Sequence, residues 1–259
     1  MNLKLGDVQE TALIPLSVRA LETQRKNPRI QDKKAVEIIK ALGIDPAQYD
    51  KFKSHEGIVA RTIIIDHEVK ALLKKSPYSV CVNIGCGFDN RFSRVDNGIA
   101  KWYNTDLSDS IQVRKRVYAE TDREKMLSGN VLEYGWAENI PKADNNIVVA
   151  EGLFMYFSKE EIKKILLILT DSFPSGYLVV ELMHPLMAKN SKHHDTVKNT
   201  NATFGWGTKT GSELEELCPK IKLIKETSLN TVMKKYTIRG KFIATIAKNL
   251  NNRIAVFKW

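Results

Sequence analysis

Apolar side chains recur along this chain with two different periods, and the change falls near residue 77. Up to that point the spacing is helical. Residues 8–26 bring Ala12, Leu13, Leu16, Ala20 and Leu21 to one side with Arg19 among them, and Asn27-Pro28 stops the run. Asp32 is placed to cap a second helix, Lys33 to Leu42, which Gly43 ends. Asp45-Pro46 reads as a further cap with proline in the first turn. A third helix over about 56–75 carries Ile58, Val59, Thr62, Ile63, Ile65, Val69, Leu72 and Leu73 on one broad face. Asp66 falls in the middle of that face and needs a partner, which favours a structural ion pair. Arg61, at its margin, is better placed to reach an anionic group in a neighbouring cleft.

Beyond residue 77 short β-branched runs alternate with helical ones. Val80–Ile84 reads as a strand, 100–105 as a second ending at Asp106, and Val131-Leu132 as a short edge strand. Asn146–Ala150 is a largely apolar strand ending at Glu151-Gly152, and Tyr177–Leu182 is another. Between them, Ser108–Thr121 and Lys159–Ser172 read as helices, the latter capped by Ser158 with Glu160 and Glu161 in its first turn. This order predicts an α/β fold with a doubly wound, mostly parallel sheet. Residues 185–210 break the rhythm and read as a lid over the ligand edge. Gly211-Ser212 opens a helix to Leu217, and 221–226, 242–247 and 253–258 read as strands, the last two spaced as an antiparallel hairpin. The expected organisation is one domain over 1–259, with a helical cap to 76 and a core from 77.

The strand Val80–Ile84 runs directly into Gly85-Cys86-Gly87-Phe88-Asp89-Asn90-Arg91. Glycines at such a point allow backbone conformations and close approaches that a side chain blocks, and the carboxyl end of a parallel strand is where ligands sit. A turn with no ligand is the plainer alternative. Asp89, Asp106 and Glu151 all fall at strand ends, so a parallel sheet brings them to one edge. Asp106 follows Gly85 by 21 residues, close to the offset at which an acid holds a ribose in dinucleotide folds. The third glycine that lets a helix crowd a pyrophosphate is missing, so a nucleoside without a diphosphate fits better. Asp106 then takes the ribose hydroxyls, Glu151 faces a positive end of the ligand, and Arg61 takes its carboxylate.

Composition narrows the setting. The 259 residues are 43% hydrophobic and 27% charged, ordinary for a globular protein. No apolar run reaches membrane-spanning length and the first ten residues lack an apolar signal core, so a cytoplasmic protein without a membrane partner is expected. Three cysteines, Cys81, Cys86 and Cys218, form no metal-ligand spacing and fit reduced thiols. The net charge of +10 raises nucleic-acid binding, but the basic pairs are scattered and lack interleaved aromatics, which fits a solvated surface better.

The stretch Asn83-Ile84-Gly85-Cys86-Gly87-Phe88-Asp89-Asn90-Arg91 resembles the G-x-G-x-D-x-R motif of the leucine carboxyl methyltransferase family, and within it the branch of polyketide O-methyltransferases. Ala60–Asp66, Trp102–Leu107 and Glu151–Phe157 match in order and spacing, as do Thr11-Ala12-Leu13 and Arg19-Ala20 followed by Asp32, so the likeness covers 11 to about 184. It implies a class I methyltransferase fold, S-adenosylmethionine as cofactor with S-adenosylhomocysteine as product, and methyl transfer to oxygen. It further implies that Arg61 binds the methionine carboxylate and that the Gly85-Cys86-Gly87 loop approaches the cofactor. Asp106 with Leu107 beside it holds the ribose, Glu151 lies near the methionine end, and Val131 and Leu132 line the adenine pocket. Glu133 is a further acceptor for the adenine amino group.

Methyl transfer from a sulfonium asks mainly for alignment and exclusion of water. A carboxylate acceptor needs no base; a phenol is helped by one. The candidates are Tyr156, His184, His193 and His194. Arg19 can attract an anionic acceptor or form a salt bridge inside the cap, and Trp206 in the lid is a further acceptor contact. The acceptor is expected to be a small molecule with a carboxylate or phenolic hydroxyl. Two alternatives stand beside it: a protein C-terminal carboxylate as acceptor, and a non-enzymatic nucleoside- or RNA-binding module.

Overall fold

Strand β1 (Val80–Ile84) is buried along its whole length, as is β4 (Asn146–Ala150) beside it. Such predominantly apolar, fully buried runs belong to a parallel sheet covered on both faces. The computed structural model describes residues 11–50, 52–189 and 203–259. Seven strands form one sheet in the order β3-β2-β1-β4-β5-β7-β6, with β2 (Lys101–Asp106), β3 (Glu124–Ser128) and β5 (Gly176–Leu182) parallel to β1 and β4. Strand β7 (Arg253–Lys258) runs antiparallel to β5 and to the edge strand β6 (Lys222–Ser228).

Alternate residues of each strand serve opposite faces. Val82, Ile84, Val148, Ala150, Leu178 and Val180 pack on one side with Ile162, Ile165, Leu166 and Leu169 of a helix over Lys159–Ser172. Its N-terminus carries a full capping box between Ser158 and Glu161. Cys81, Ile147, Val149, Val179 and Val256 pack on the other side against Ile64, Ile65, Val69 and Leu72. Those four belong to the long helix α3 (Phe52–Lys75). Helices α1 (Leu13–Thr23) and α2 (Lys33–Leu42) form the cap, and Leu13, Leu16, Ala20, Ile38, Ile39 and Leu42 pack on Cys86, Phe88, Ile111 and Tyr118. Asp32 caps α2 by accepting from the Ala35 N–H at 3.0 Å, and Gly43 ends it at φ +64°.

Three elements differ from expectation. The edge strand past the Ser108–Arg114 helix is Glu124–Ser128, not Val131-Leu132. Only Met126 of β3 is buried, so this polar edge strand has no apolar signature, while Val131-Leu132 is apolar because it turns back over the core. The helix from Ser108 ends at Arg114 rather than near 121, and Tyr118 then turns inward to donate its hydroxyl hydrogen to the Phe88 carbonyl at 2.9 Å. Residues 242–247 are helical, within Ile238–Ala247, so β7 pairs with β5 and β6 instead of with them. The β-branched content there suggested a strand, but Gly240 and Ala244 face inward one turn apart, and Thr237 caps the helix by accepting from the Gly240 N–H at 2.8 Å.

Candidate active site

The register of the parallel strands fixes where the site lies. Ile84 pairs with Thr105, Asn83 with Val149, and Ala150 with Val180, so the loops leaving β1, β2, β4 and β5 open on one edge. The order 3-2-1-4-5 puts the switch of winding direction between β1 and β4, where such sheets open a crevice. The chain leaves β1 through Gly85 at φ +62°. A Cβ there would lie 2.7 Å from Leu153 Cδ1, so the loop after β4 closes onto the glycine. Asp106, at the end of β2, accepts from the Gly87 N–H and from the Leu107 N–H, each at 2.8 Å. Burial pushes its carboxyl pKa up, against the lowering effect of those two N–H groups. Cys86 is buried, and burial likewise raises its thiol pKa, so it is a small wall residue and not a nucleophile.

Beside this loop, a chain of buried charges reaches from the cleft to the cap. Arg61 donates from Nε to Glu151 at 2.8 Å and from Nη1 to Glu181 at 3.0 Å. Burial works against its charge, but the two carboxylates more than compensate and hold the guanidinium firmly ionised. Glu151 also pairs with Arg91, and Glu181 accepts from the Gly152 N–H at 3.0 Å. Burial alone would raise the Glu151 pKa, yet Arg61 and Arg91 bring it below the usual carboxylate range. Asp89, lowered in the same way by Arg91 and Arg94, links this group to Asp66, which takes Arg94 at 2.7 Å. Asp66 is thus the ion-pair anchor its position required. At the cap end, Arg94 and Arg19 share Asp32, at 3.1 and 2.9 Å, and Arg19 also donates to the Phe88 carbonyl at 3.1 Å.

These elements enclose a cleft of ≈ 620 Å³. Arg61, Gly85, Cys86, Gly87, Asp106, Leu107, Val131, Glu151, Tyr156 and Arg19 all line it, from seven separate stretches of chain. Arg19 does so while its Nε donates to Asp32 within the cap and its Nη2 to the Phe88 carbonyl of the core, so the salt bridge inside the cap is present. Leu132 and Trp206 instead pack against the main core, and His184 lies outside the wall, half-buried, accepting from the Leu186 N–H at 3.2 Å. Burial and the Arg253 charge lower its pKa. Glu133 is exposed, and its Oε1 accepts from the Asn130 side chain at 3.2 Å. His193 and His194 lie outside the described residues.

The cleft also uses residues that were not singled out: Asn130 just past β3, Leu153, Phe204 and Asn252. Asn252 donates to Glu181 at 2.8 Å. Glu181 itself carried a legible signal, a carboxylate inside the apolar run Leu178–Leu182. The wall carries the carboxylates of Asp89, Asp106 and Glu151 together with the apolar side chains of Ile14, Pro15, Ile58, Met155, Met183 and Phe204. Tyr156 stands with its ring centroid 5.5 Å from that of Phe204, and its hydroxyl donates to Thr11 Oγ1 at 3.1 Å. Burial raises the Tyr156 pKa, which keeps the phenol protonated.

A family model described as leucine carboxyl methyltransferase matches residues 12–170, more than half of the chain. The tetracenomycin polyketide synthesis O-methyltransferase of Streptomyces glaucescens is 28% identical over 88% of this chain and 85% of its own length. A protein of Gibberella zeae named an S-adenosyl-L-methionine-dependent methyltransferase is 21% identical over 84% and 81%. Among solved structures, magnesium protoporphyrin IX methyltransferase from Synechocystis superposes with a TM-score of 0.52 at 13% identity, covering 88% of this chain and 99% of its own. The fold is therefore the class I methyltransferase fold, and S-adenosylmethionine is the cofactor. The cleft fits that cationic nucleoside: it has the size, a glycine loop at the end of β1, a carboxylate at the end of β2 and further carboxylates in its wall.

Proposed function

Because this chain belongs to the leucine carboxyl methyltransferase family, we propose that it is an O-methyltransferase whose acceptor is a small molecule bearing a carboxylate or a phenolic hydroxyl. The observation that carries this reading is one cleft whose wall combines the carboxylates Asp89, Asp106 and Glu151 with apolar and aromatic side chains. When bound, S-adenosylmethionine supplies an electrophilic methyl group on a sulfonium. Asp106 accepts from the ribose hydroxyls, Arg61 binds the methionine carboxylate, and Glu151 offsets the positive charge nearby. Asn130 and Val131 flank the adenine. Gly85 keeps the backbone free of a Cβ where the cofactor must come close.

The apolar part of the wall aligns the acceptor oxygen and excludes water, which together account for most of what such a reaction needs. Ile14, Pro15, Met155, Met183 and Phe204 provide an unhydrated wall for a flat, apolar ring system. Tyr156, protonated and tied to Thr11, orients the acceptor rather than taking its proton. A carboxylate or an acidic phenol as acceptor needs no general base, in keeping with a described cleft wall that holds no histidine. The Streptomyces relative is named for the synthesis of a polyketide, tetracenomycin. The cap up to residue 76 and the core from 77 act here as one catalytic unit.

The test is transfer of radiolabelled methyl from S-adenosylmethionine to panels of hydroxylated aromatic acids, phenols and intact protein. Label in small aromatic acceptors supports the reading. Label confined to protein C-termini would instead make the acceptor a polypeptide carboxylate.

A further inference from the structure

Strands β6 and β7 are adjacent and antiparallel, so a turn of two to five residues is enough to join them. The chain instead spends residues 229–252 between them, folding α10 (Asn230–Tyr236) and α11 (Ile238–Ala247). (These follow the helices over Arg91–Val95, Ser108–Arg114, Gly135–Glu138, Lys159–Ser172, Pro185–Lys189 and Ser212–Leu217, which are α4 to α9 in chain order.) Helix α11 buries its smallest residues and exposes its largest. Gly240 and Ala244 face inward, and a Cβ on Gly240 would lie 2.3 Å from the Met233 carbonyl oxygen, so only the smallest residues fit that side. Its large side chains point to solvent: Ile238 is 87% exposed, Phe242 61% and Ile246 66%, spaced four residues apart as one stripe. Tyr236 and Leu250 extend it at either end. A helix that merely packs on a globular core buries its large residues. An exposed run of this kind marks a contact surface.

Its surroundings say what the contact is. From Thr227 to Trp259 there is no Asp or Glu, against seven Lys and Arg. Four of these, Lys234, Lys235, Lys241 and Lys248, are exposed on α10 and α11 or just beyond, and among the described residues none has an ion-pair partner. We propose that this face docks on an anionic lipid bilayer, with Ile238, Phe242 and Ile246 inserted at the level of the headgroups and the four lysines against the lipid phosphates. An apolar stripe bordered by lysines is the pattern of a helix lying in the plane of a membrane interface. A second copy of the chain fits less well, because a two-fold contact through the stripe brings two lysine-bordered faces together with no Asp or Glu from residues 227–259 to offset them. A protein partner fits less well too, since lysine is depleted at the centre of protein interfaces while diffuse lysines suit a lipid surface. The expectation of no membrane partner rested on the absence of a spanning segment, and no described helix is long and apolar enough to cross a membrane. A helix lying on the surface does not need that length. Asn252, the last residue of the excursion, lines the cleft.

The test is co-sedimentation of the full chain with vesicles of phosphatidylglycerol and phosphatidylcholine, compared with phosphatidylcholine alone, at low and high salt. Binding to the mixed vesicles that weakens in high salt is expected, with little binding to phosphatidylcholine alone. Phe242→Ser with Ile246→Ser abolishes it, and Lys234→Gln and Lys235→Gln each weaken it about fivefold. Melting temperature and S-adenosylmethionine affinity, measured on the same variants, show that the chain is still folded; the lysine variants, lying wholly on the surface, remain informative if the apolar pair does not fold. No binding to anionic vesicles, or binding indifferent to both sets of changes, overturns the proposal. So does a homodimer in sedimentation velocity that Ile246→Ser dissolves, because the face then belongs to a second copy.

Discussion

Replacing Gly85 with alanine separates the two reasons for a glycine at that position. At φ +62° an L residue adopts the left-handed conformation at a cost of about 1–2 kcal/mol. The added Cβ would also sit 2.7 Å from Leu153 Cδ1 and 3.1 Å from Cδ2, so Leu153 must leave its rotamer, which costs about 0.5–1.5 kcal/mol more. Gly98 supplies the control. It has φ +79° with nothing within 4 Å, so Gly98→Ala carries the conformational cost alone. Gly98→Ala is expected to cost about 1 kcal/mol and Gly85→Ala about 2–3 kcal/mol in denaturant titrations, with unchanged m-values. Each kcal/mol lowers the Tm by about 2–4 °C in a chain of this size. Since Leu153 lines the cleft, Gly85→Ala also weakens S-adenosylmethionine about tenfold by calorimetry, while Gly98→Ala leaves the affinity alone. Equal destabilisation by the two variants, with equal affinities, would refute the close approach of the β1 and β4 loops.

Other consequences follow from the buried charges and the cleft wall. Asp89, Glu151 and Glu22 have pKa values lowered in the folded state: burial opposes the shift, but Arg91 and Arg94, Arg61 and Arg91, and Arg29 outweigh it. Their ionised forms therefore contribute stability above about pH 4 that is lost as the pH falls, while Asp106 and Glu124, whose pKa values burial raises, act in the opposite direction. Thermal melts from pH 7 downward should show Tm falling steeply below about pH 4, and a flat profile would contradict the ion-pair assignment. Asp32→Asn keeps the α2 cap but leaves the Arg19 and Arg94 charges short of a partner, at a cost of about 3–5 kcal/mol. Asp45→Asn, at an exposed cap, should stay within about 0.5 kcal/mol. Tyr156→Phe is expected to retain kcat within about tenfold with an unchanged pH profile, whereas a general base would show a loss of about 10²–10⁴.

The core of the fold and one half of the cleft are legible in the sequence because their constraints are local. Val80–Ile84 and Asn146–Ala150 are buried on both faces, so apolarity alone marks them, and Ser158 and Asp32 announce their helices through capping. Gly85, Asp106 and Glu151 stand at strand ends, where topology forces convergence whatever the details of packing. The residues that escape are those whose role depends on distant partners. Strand β3 is polar because it is an edge, so the sequence offers Val131-Leu132 as the edge strand in its place, and Asn130, which lines the cleft beside Val131, carries no signal of its own. Helix α11 carries β-branched residues that read as a strand, since what makes it helical is the space for Gly240 and Ala244 beside Met233 and the Thr237 cap. Phe204 and Asn252 enter the cleft from segments whose placement no periodicity records. His184 beside Pro185 resembles a strand-end base, yet its ring is turned to the Leu186 amide.

The most direct test of the cofactor cradle is calorimetric titration of S-adenosylmethionine into the wild-type chain and Asp106→Ala. The carboxylate holds the Gly87 and Leu107 amides at the mouth of the loop and leaves acceptor sites for two ribose hydroxyls. Losing two hydrogen bonds to a charged acceptor, at about 1.5–3 kcal/mol each, weakens binding by about 10²–10⁴-fold. The account predicts that loss with a circular dichroism spectrum matching the wild type. Wild-type affinity in a folded Asp106→Ala variant would contradict it.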